Sequence, residues 1–394
     1  MKKNIAIIGG CGHIGLPLGL IFASKGFYVT LLDINENTVR LINEKHLPFQ
    51  EEGAEELLSR HLGIHLKATT DPSTLPQQDI IIIVTGTPVD EHLNPKVNDV
   101  LKILDKYLEM FHPGQLLIFR STLYPGTVRL IHHKLRKAGK DLELAFCPER
   151  ILQGRGIQEL THLPQLVSGV TPEAEQHAAE LFACITKEII LLTPEEAELA
   201  KLMTNSWRYL EFAIANQFYM MAEEHDLDFY KIFSAMTRDY PRAAHFAKPG
   251  LSAGPCLFKD TMQLAAFHDN HFFLGHAAML VNEGMPSILV RQLKKKLGSL
   301  QDKKIAVLGM TFKADNDDIR ESLSFKIKKI LIHQMAEVLL SDPYLPETLP
   351  LEQALSEADG IIIGVPHSIY NDLQTEKPVV DCWNLLKQSN RRSS

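Results

Sequence analysis

The chain has 394 residues, 45% of them apolar and 23% charged, and a formal net charge of −7. That length exceeds one ordinary core and asks for two or three domains, and the composition is that of a globular chain rather than a disordered or fibrous one. The negative balance argues against a general nucleic-acid binder, so an anionic ligand has to be met by a local group of Lys and Arg.

The segment "KNIAIIGGCGHIGLPLGLIFASKGFYVTLLD" reads strand, glycine turn, helix, strand, a βαβ unit with parallel strands. Its turn is Gly10-Cys11-Gly12-His13-Ile14-Gly15, and Asp33 ends the second strand, the spacing of a dinucleotide-binding fingerprint. Gly10 is expected to permit the tight turn and Gly12 to let backbone approach a pyrophosphate, while the helix N-terminus supplies N–H groups and positive dipole. Asp33 would accept from both ribose hydroxyls and repel a 2′-phosphate, which favours NAD over NADP. An ordinary glycine turn with a surface Asp is the bland alternative, and the position between strand and helix argues against it.

Apolar runs in "DIIIIVTGTP", "QLLIFRSTLYPGT" and "LELAFCPER" then alternate with helical segments at 98–111 and 128–138. The fold class is therefore α/β, with an open doubly wound sheet. Polar clusters at 85–88, 121–127 and 147–150 fall at C-terminal strand ends, where such sheets bind ligands, and could share one cleft. Glu149 and Arg150 read two ways: a base beside an anion-holding cation, or a structural ion pair.

At Thr193 the texture changes. "TPEEAELAKLMTNSWRYLEFAIANQFYMMAEEHD" predicts one long helix with Thr193 as N-cap, Pro194 at the first helical position and Glu196 completing a capping box. Its apolar residues surround most of the circumference, so burial is expected, as a spine between domains or across a dimer. Lys201, Asn205 and Arg208 recur on one face at i, i+4 and i+7, either a solvated edge or the lining of a polar cleft. Apolar neighbours Leu199, Leu202, Met203, Trp207 and Phe212 favour the cleft, where a desolvated lysine could act as acid or base.

In "LSAGPCLFKDT", Cys256 follows Gly254-Pro255 and precedes a helical run, with Lys259 and Asp260 close by. A helix N-terminus and a lysine favour a thiolate, and Asp260 could order a water or orient the lysine stripe. A buried core cysteine explains the same segment, since free Cys is among the most buried residue types. The histidines of "FHDNHFFLGH" lack a pair one helical turn apart with a helper carboxylate, so no metal is expected. The five cysteines are scattered without a C-x-x-C pair, which argues against a disulfide framework and for reduced thiols.

The βαβ texture returns in "KKIAVLGMTFKADNDDIRES", "EVLLSDPY", "ADGIIIGVPH" and "PVVDCW", a second Rossmann-like domain with Lys313 and Arg320 at a strand end suited to phosphate. The expected domains are 1–192 (dinucleotide-binding), 193–297 (helical, catalytic and dimer-forming) and 298–394 (second Rossmann-like). No apolar run reaches bilayer length and "MKKNIAIIGG" lacks an export-signal cleavage site, so a cytoplasmic protein with no membrane partner is expected.

Taken in order, "GGCGHIGLP", "TGTP", "STLYPGT", "CPER", "AELAKLMTNSWR", "GPCLFKD" and "FKADNDDIRES" give a chain that resembles, over nearly its whole length, the NAD-dependent nucleotide-sugar 6-dehydrogenases of the UDP-glucose/GDP-mannose dehydrogenase family. The resemblance implies a four-electron oxidation of a sugar 6-hydroxymethyl through a cysteine thiohemiacetal and thioester, with two NADH per sugar. It implies Cys256 as nucleophile, Lys201 as general acid/base and Asn205 and Asp260 as supporting polar residues. It places Glu149 in water or proton handling and Thr122 near the nicotinamide and that water. Thr87 and Arg320 match cofactor contacts, as do His13, Ile14 and Gly15 in the glycine turn, and Lys313 matches a substrate-side lysine.

"CPERILQG" resembles the form seen in N-acetylhexosamine enzymes, which puts Arg150 and Ile151 on the sugar side. Arg208 and Arg242 match substrate positions of the UDP-N-acetylmannosamine branch, with Tyr240 where that branch can carry histidine. The resemblance thus implies a UDP-N-acetylmannosamine enzyme, a homodimer formed through the central helix, and a role in envelope polysaccharide synthesis. "AGPC" departs from the commoner Gly-Gly-x-Cys turn, placing Ala253 at a glycine position in the sugar-contacting loop that leads to Lys259. UDP-glucose or UDP-N-acetylglucosamine as substrate, and a non-catalytic sugar-nucleotide-binding paralogue, are the alternatives. A two-electron β-hydroxyacid dehydrogenase explains neither Cys256 nor the second Rossmann-like domain.

Overall fold

The computed structural model describes residues 4–86, 89–90, 96–251, 254 and 256–386. The chain divides into two compact units, Met1–Thr204 and Asn205–Ser394, with the division inside one long helix.

The first unit is built on β1 (Asn4–Ile8), β2 (Tyr28–Leu32), β3 (Leu66–Thr69), β4 (Ile80–Ile83), β5 (Leu116–Phe119), β6 (Glu143–Phe146), β7 (Gln165–Gly169) and β8 (Ile189–Leu191). They form one sheet in the order β3-β2-β1-β4-β5-β6-β7-β8. All neighbours are parallel except β6 and β7. The central strands read "NIAII", "IIII" and "LLIF", continuous apolar runs of the kind that helices cover on both faces. Alternation along β1 sends Ile5 and Ile7 into one core and Ala6 and Ile8 into the other. Strand order reverses between β1 and β4, which opens a crevice at their C-terminal ends. The polar segments at 85–86, 121–127 and 147–150 follow β4, β5 and β6 and rim that end of the sheet, as the sequence predicts.

The long helix runs Pro194–Glu224, and its start is the expected capping box: Glu196 N–H donates to Thr193 Oγ1 (3.3 Å) and Thr193 N–H to Glu196 Oε2 (2.8 Å). The expected burial, between domains or across a dimer, leaves one face of the helix uncovered in the single chain. Met203, Trp207, Ile214, Phe218 and Met221 form an exposed apolar stripe, with Trp207 59% accessible.

The second unit carries β9 (Lys304–Leu308), β10 (Glu337–Ser341), β11 (Gly360–Ile363) and β12 (Val379–Val380) in an all-parallel sheet, order β10-β9-β11-β12. Helix Phe273–Leu297 shares a buried core with it, Met285, Leu289 and Leu293 joining Ile305, Val307 and Ile362. The architecture is thus two Rossmann-like sheets and a helical region with one long helix. Among the described residues, no helix is long and apolar enough to cross a membrane.

Candidate active site

In the glycine turn of the first unit, the left-handed residue is Gly9 (φ +79°). Gly10 is needed for another reason: a Cβ there would lie 2.6 Å from the Ile7 carbonyl oxygen and 2.8 Å from Leu31 Cα, because the turn passes tightly over β1 and β2. A Cβ on Gly15 would meet Gly10 Cα at 2.6 Å, so helix Gly15–Ser24 packs directly on the turn. At Gly12 the nearest atom would be the Gly9 oxygen at 3.7 Å, which leaves room for a ligand to approach the backbone. Asp33 is already oriented beside the turn, its Oδ2 accepting from Cys11 N–H (3.0 Å) and its Oδ1 from Asn35 N–H (3.1 Å). His13, next in the turn, rests its ring on Phe49 with centroids 4.0 Å apart, and Ile14 is half-buried. These features fit a dinucleotide: an open glycine, a helix N-terminus and a carboxylate at the ribose position.

Thr122 lies on the loop after β5, where Ser121 Oγ donates to the Thr85 carbonyl (2.5 Å) and ties two of the rim segments together. Thr87 lies outside the described residues. Glu149 is buried and does pair with an arginine, but with Arg120 rather than its neighbour Arg150. Arg120 follows β5, is itself 1% exposed, donates to both Glu149 and Gln165 Oε1 (3.0 Å for the latter), and stacks 4.7 Å from the Phe182 ring. Arg150 sends its guanidinium to the Pro164 carbonyl, while its N–H and that of Ile151 donate to Glu149 Oε1 (2.7 and 2.9 Å). Burial alone would raise the Glu149 pKa, but Arg120 and the two N–H donors outweigh it and hold the carboxyl below its usual range. Lys201 is half-buried on the first turns of the long helix.

In the second unit Cys256 is the residue immediately before helix Leu257–Phe267, and it is exposed. The core-cysteine reading therefore fails for Cys256, whereas Cys11, Cys147 and Cys382 are buried. Burial, helped by Asp33, pushes the Cys11 thiol up to about 12; burial, against the opposing effect of Arg120, does the same for Cys147. One turn into the helix, Asp260 is completely buried and accepts from Asn205 Nδ2 (2.6 Å) and Lys259 Nζ (2.5 Å). Asp260 thus fixes one member of the expected polar stripe, and Arg208 stands exposed further along it. Arg242 lies over the Tyr240 ring at 4.9 Å, both on the surface. Ala253 lies outside the described residues.

The loop after β9 carries the half-buried Lys313, and Arg320, which chelates Asp318 through Nε (2.9 and 3.0 Å) and Nη2 (2.5 Å). Those bonds raise the Arg320 pKa, and the charge of Cys256 adds to the rise, which marks the two groups as electrostatic neighbours. The loop is pinned from beneath by His367, a fully buried side chain after β11. Its Nδ1 accepts from Asp315 N–H (3.0 Å), so the other nitrogen carries the proton and donates to Asp342 Oδ2 (3.1 Å). Sequence reasoning missed both Arg120 and His367; "GVPH" ending a strand run was the only visible sign of the latter.

Fold and turn define a class: an NAD-dependent oxidoreductase with a second nucleotide-type sheet beyond the cofactor domain. Family models for UDP-glucose/GDP-mannose dehydrogenases match residues 3–186 (NAD binding domain), 195–283 (central domain) and 306–388 (UDP binding domain). A UDP-N-acetyl-D-mannosamine dehydrogenase of Campylobacter jejuni is 30% identical, covering 96% of this chain and 99% of its own length. One from Methanocaldococcus jannaschii is 32% identical, covering 98% and 93% respectively. The solved UDP-D-ManNAc dehydrogenase of Pyrococcus horikoshii superposes with a TM-score of 0.91 at 28% identity, over 98% of this chain and 96% of that one. The chain belongs to the UDP-glucose/GDP-mannose dehydrogenase family, and it is an NAD-dependent nucleotide-sugar dehydrogenase.

Proposed function

We propose that the protein oxidises the 6-hydroxymethyl of UDP-N-acetylmannosamine to the carboxylate, with Cys256 as covalent nucleophile. The observation that carries this reading is the exposed Cys256 at the start of helix Leu257–Phe267, with Asp260 and Asn205 locked together one turn in. The similarity to enzymes named for that substrate supports the choice of sugar.

NAD, held by the glycine turn and Asp33, supplies the hydride acceptor for both oxidations. Lys201 takes the hydroxyl proton as the alcohol becomes aldehyde. The Cys256 thiolate then adds to the aldehyde carbon, and the resulting alkoxide is protonated to a thiohemiacetal; loss of a proton and a hydride leaves the thioester. Water attacks the thioester carbonyl, expelling the thiolate and releasing the uronic acid. Glu149, kept ionised by Arg120, suits orienting that water together with Thr122 better than removing its proton. Arg320 favours the thiolate by charge. Arg150, Ile151, Arg208, Tyr240, Arg242, Ala253, Lys259 and Lys313 are proposed for the substrate side, and Thr87 and Arg320 for the cofactor.

The exposed stripe on the long helix supports a homodimer. A three-part division at 192/193 and 297/298, a cytoplasmic location and an envelope polysaccharide product complete the reading. NADH formation from a panel of UDP-N-acetylmannosamine, UDP-N-acetylglucosamine, UDP-glucose and UDP-N-acetylgalactosamine tests it. The highest kcat/KM is expected for UDP-N-acetylmannosamine; a preference for another sugar would reject the substrate assignment, and no NADH from any would reject the activity.

A further inference from the structure

Helix Thr127–Lys137 begins after Gly126, which sits in the left-handed region (φ +91°) and has no side chain to cap the free N–H groups. The cap comes from elsewhere in the first unit. Glu198, on the first turns of the long helix and completely buried, places Oε2 2.6 Å from the Gly126 nitrogen and Oε1 2.8 Å from that of Val128. The N–H of Thr127, between them, donates to the Tyr124 carbonyl (3.0 Å). One carboxylate therefore fastens the C-terminal end of the loop 121–126, the loop that carries Thr122, to the helix that carries Lys201 one turn further on.

We propose that Glu198 is a positioning residue for the oxidation, an acceptor in trans that holds the Thr122 loop in register with the Lys201 turn. This rests on the reading given above for Thr122 and Lys201. The two-donor geometry calls for the ionised form, since a neutral carboxyl retains only one strong acceptor. Burial opposes ionisation and pushes the Glu198 pKa up to about 7, against the lowering effect of the two N–H bonds. The charged groups facing it are Glu195 on its own helix, which raises the value further, and Arg129 on the capped helix, which lowers it. The folded value lies above that of an unfolded glutamate, so Glu198 contributes stability at low pH that is lost as pH rises through about 7.

The test is Glu198→Gln, an isosteric change that turns an NH₂ group towards one of the two N–H donors. Hydrogen–deuterium exchange of the segment 121–130 should speed up on the order of 10-fold, without change elsewhere, in a measurement that needs no substrate. With UDP-N-acetylmannosamine and NAD, kcat should fall on the order of 10- to 100-fold with both KM values within about two-fold, and an acidic limb near pH 7 should disappear from the kcat profile. The kcat loss should persist at temperatures well below the melting transition, and Glu195→Gln, which breaks an exposed pair with Arg129, should leave kcat near wild type. Unchanged exchange and kcat in Glu198→Gln would overturn the proposal, as would a kcat loss that only accompanies a lowered melting temperature. Should that variant not fold, Glu198→Asp, which keeps the charge on a shorter arm, must show the same local rise in exchange, or the proposal falls. Failure of the wild-type enzyme to make NADH from any UDP-sugar would reject the functional reading while leaving the exchange result to stand or fall alone.

Discussion

Arg120 and Glu149 show how a single side chain changes the meaning of a motif. Glu149 alone looks like a base; with a buried guanidinium and two N–H donors on it, it is a fixed negative charge. Arg120→Met leaves that charge buried and unpaired, and should cost about 3–5 kcal/mol of stability by chemical denaturation, with Glu149→Gln in the same chain recovering much of it. A loss under about 1 kcal/mol would mean the pair is solvated. Because the Glu149 value is depressed, its stabilisation is present above the ordinary carboxylate range and is lost as pH falls through the lowered value. Glu149 was visible in "CPER", yet Arg120 was not, since it sits within "LLIFRSTLYPGT" and 29 positions away. Only the β5–β6 register, with Phe119 beside Phe146, brings the two ends together.

At the scale of elements, the sequence was most informative where a local rule decides the structure. Thr193, Pro194 and Glu196 mark the start of the long helix because a capping box involves only near neighbours. The glycine turn was located, but the division of labour between Gly9 and Gly10 was not, because it depends on how closely β2 passes. Apolar density around the long helix predicts burial between domains or across a dimer, and in the single chain one face is uncovered, with Met203, Trp207, Ile214, Phe218 and Met221 in line. A dimer that covers this stripe accounts for both facts. Trp207→Glu should move the protein from dimer to monomer in sedimentation velocity, since an unpaired carboxylate would enter the interface. A monomeric wild type, or a variant that stays dimeric, would place the contact elsewhere.

For the molecule as a whole, the two-sheet plan was legible because the central parallel strands β1, β4, β5 and β11 are nearly unbroken apolar runs that lead into turns. The buried fastenings were not: Glu198 reaches a loop some 70 positions away, and His367 pins a loop more than 50 positions away, so neither leaves a periodic trace. Seven motifs in order carried the family resemblance and with it the expectation that Cys256 is the nucleophile, while the residues around Cys256 alone fit a core cysteine equally well, a reading its exposure at a helix start removes. A second sheet and an accessible thiol are what a two-electron dehydrogenase does not need. The most direct measurement is therefore the NADH formed per UDP-N-acetylmannosamine consumed, taken to completion with wild type and with Cys256→Ser. Two NADH and a uronic acid from the wild type, with no net oxidation but unchanged NAD affinity in Cys256→Ser, is the expected result. One NADH with an accumulating aldehyde, or full oxidation by the serine variant, would contradict the thiol mechanism.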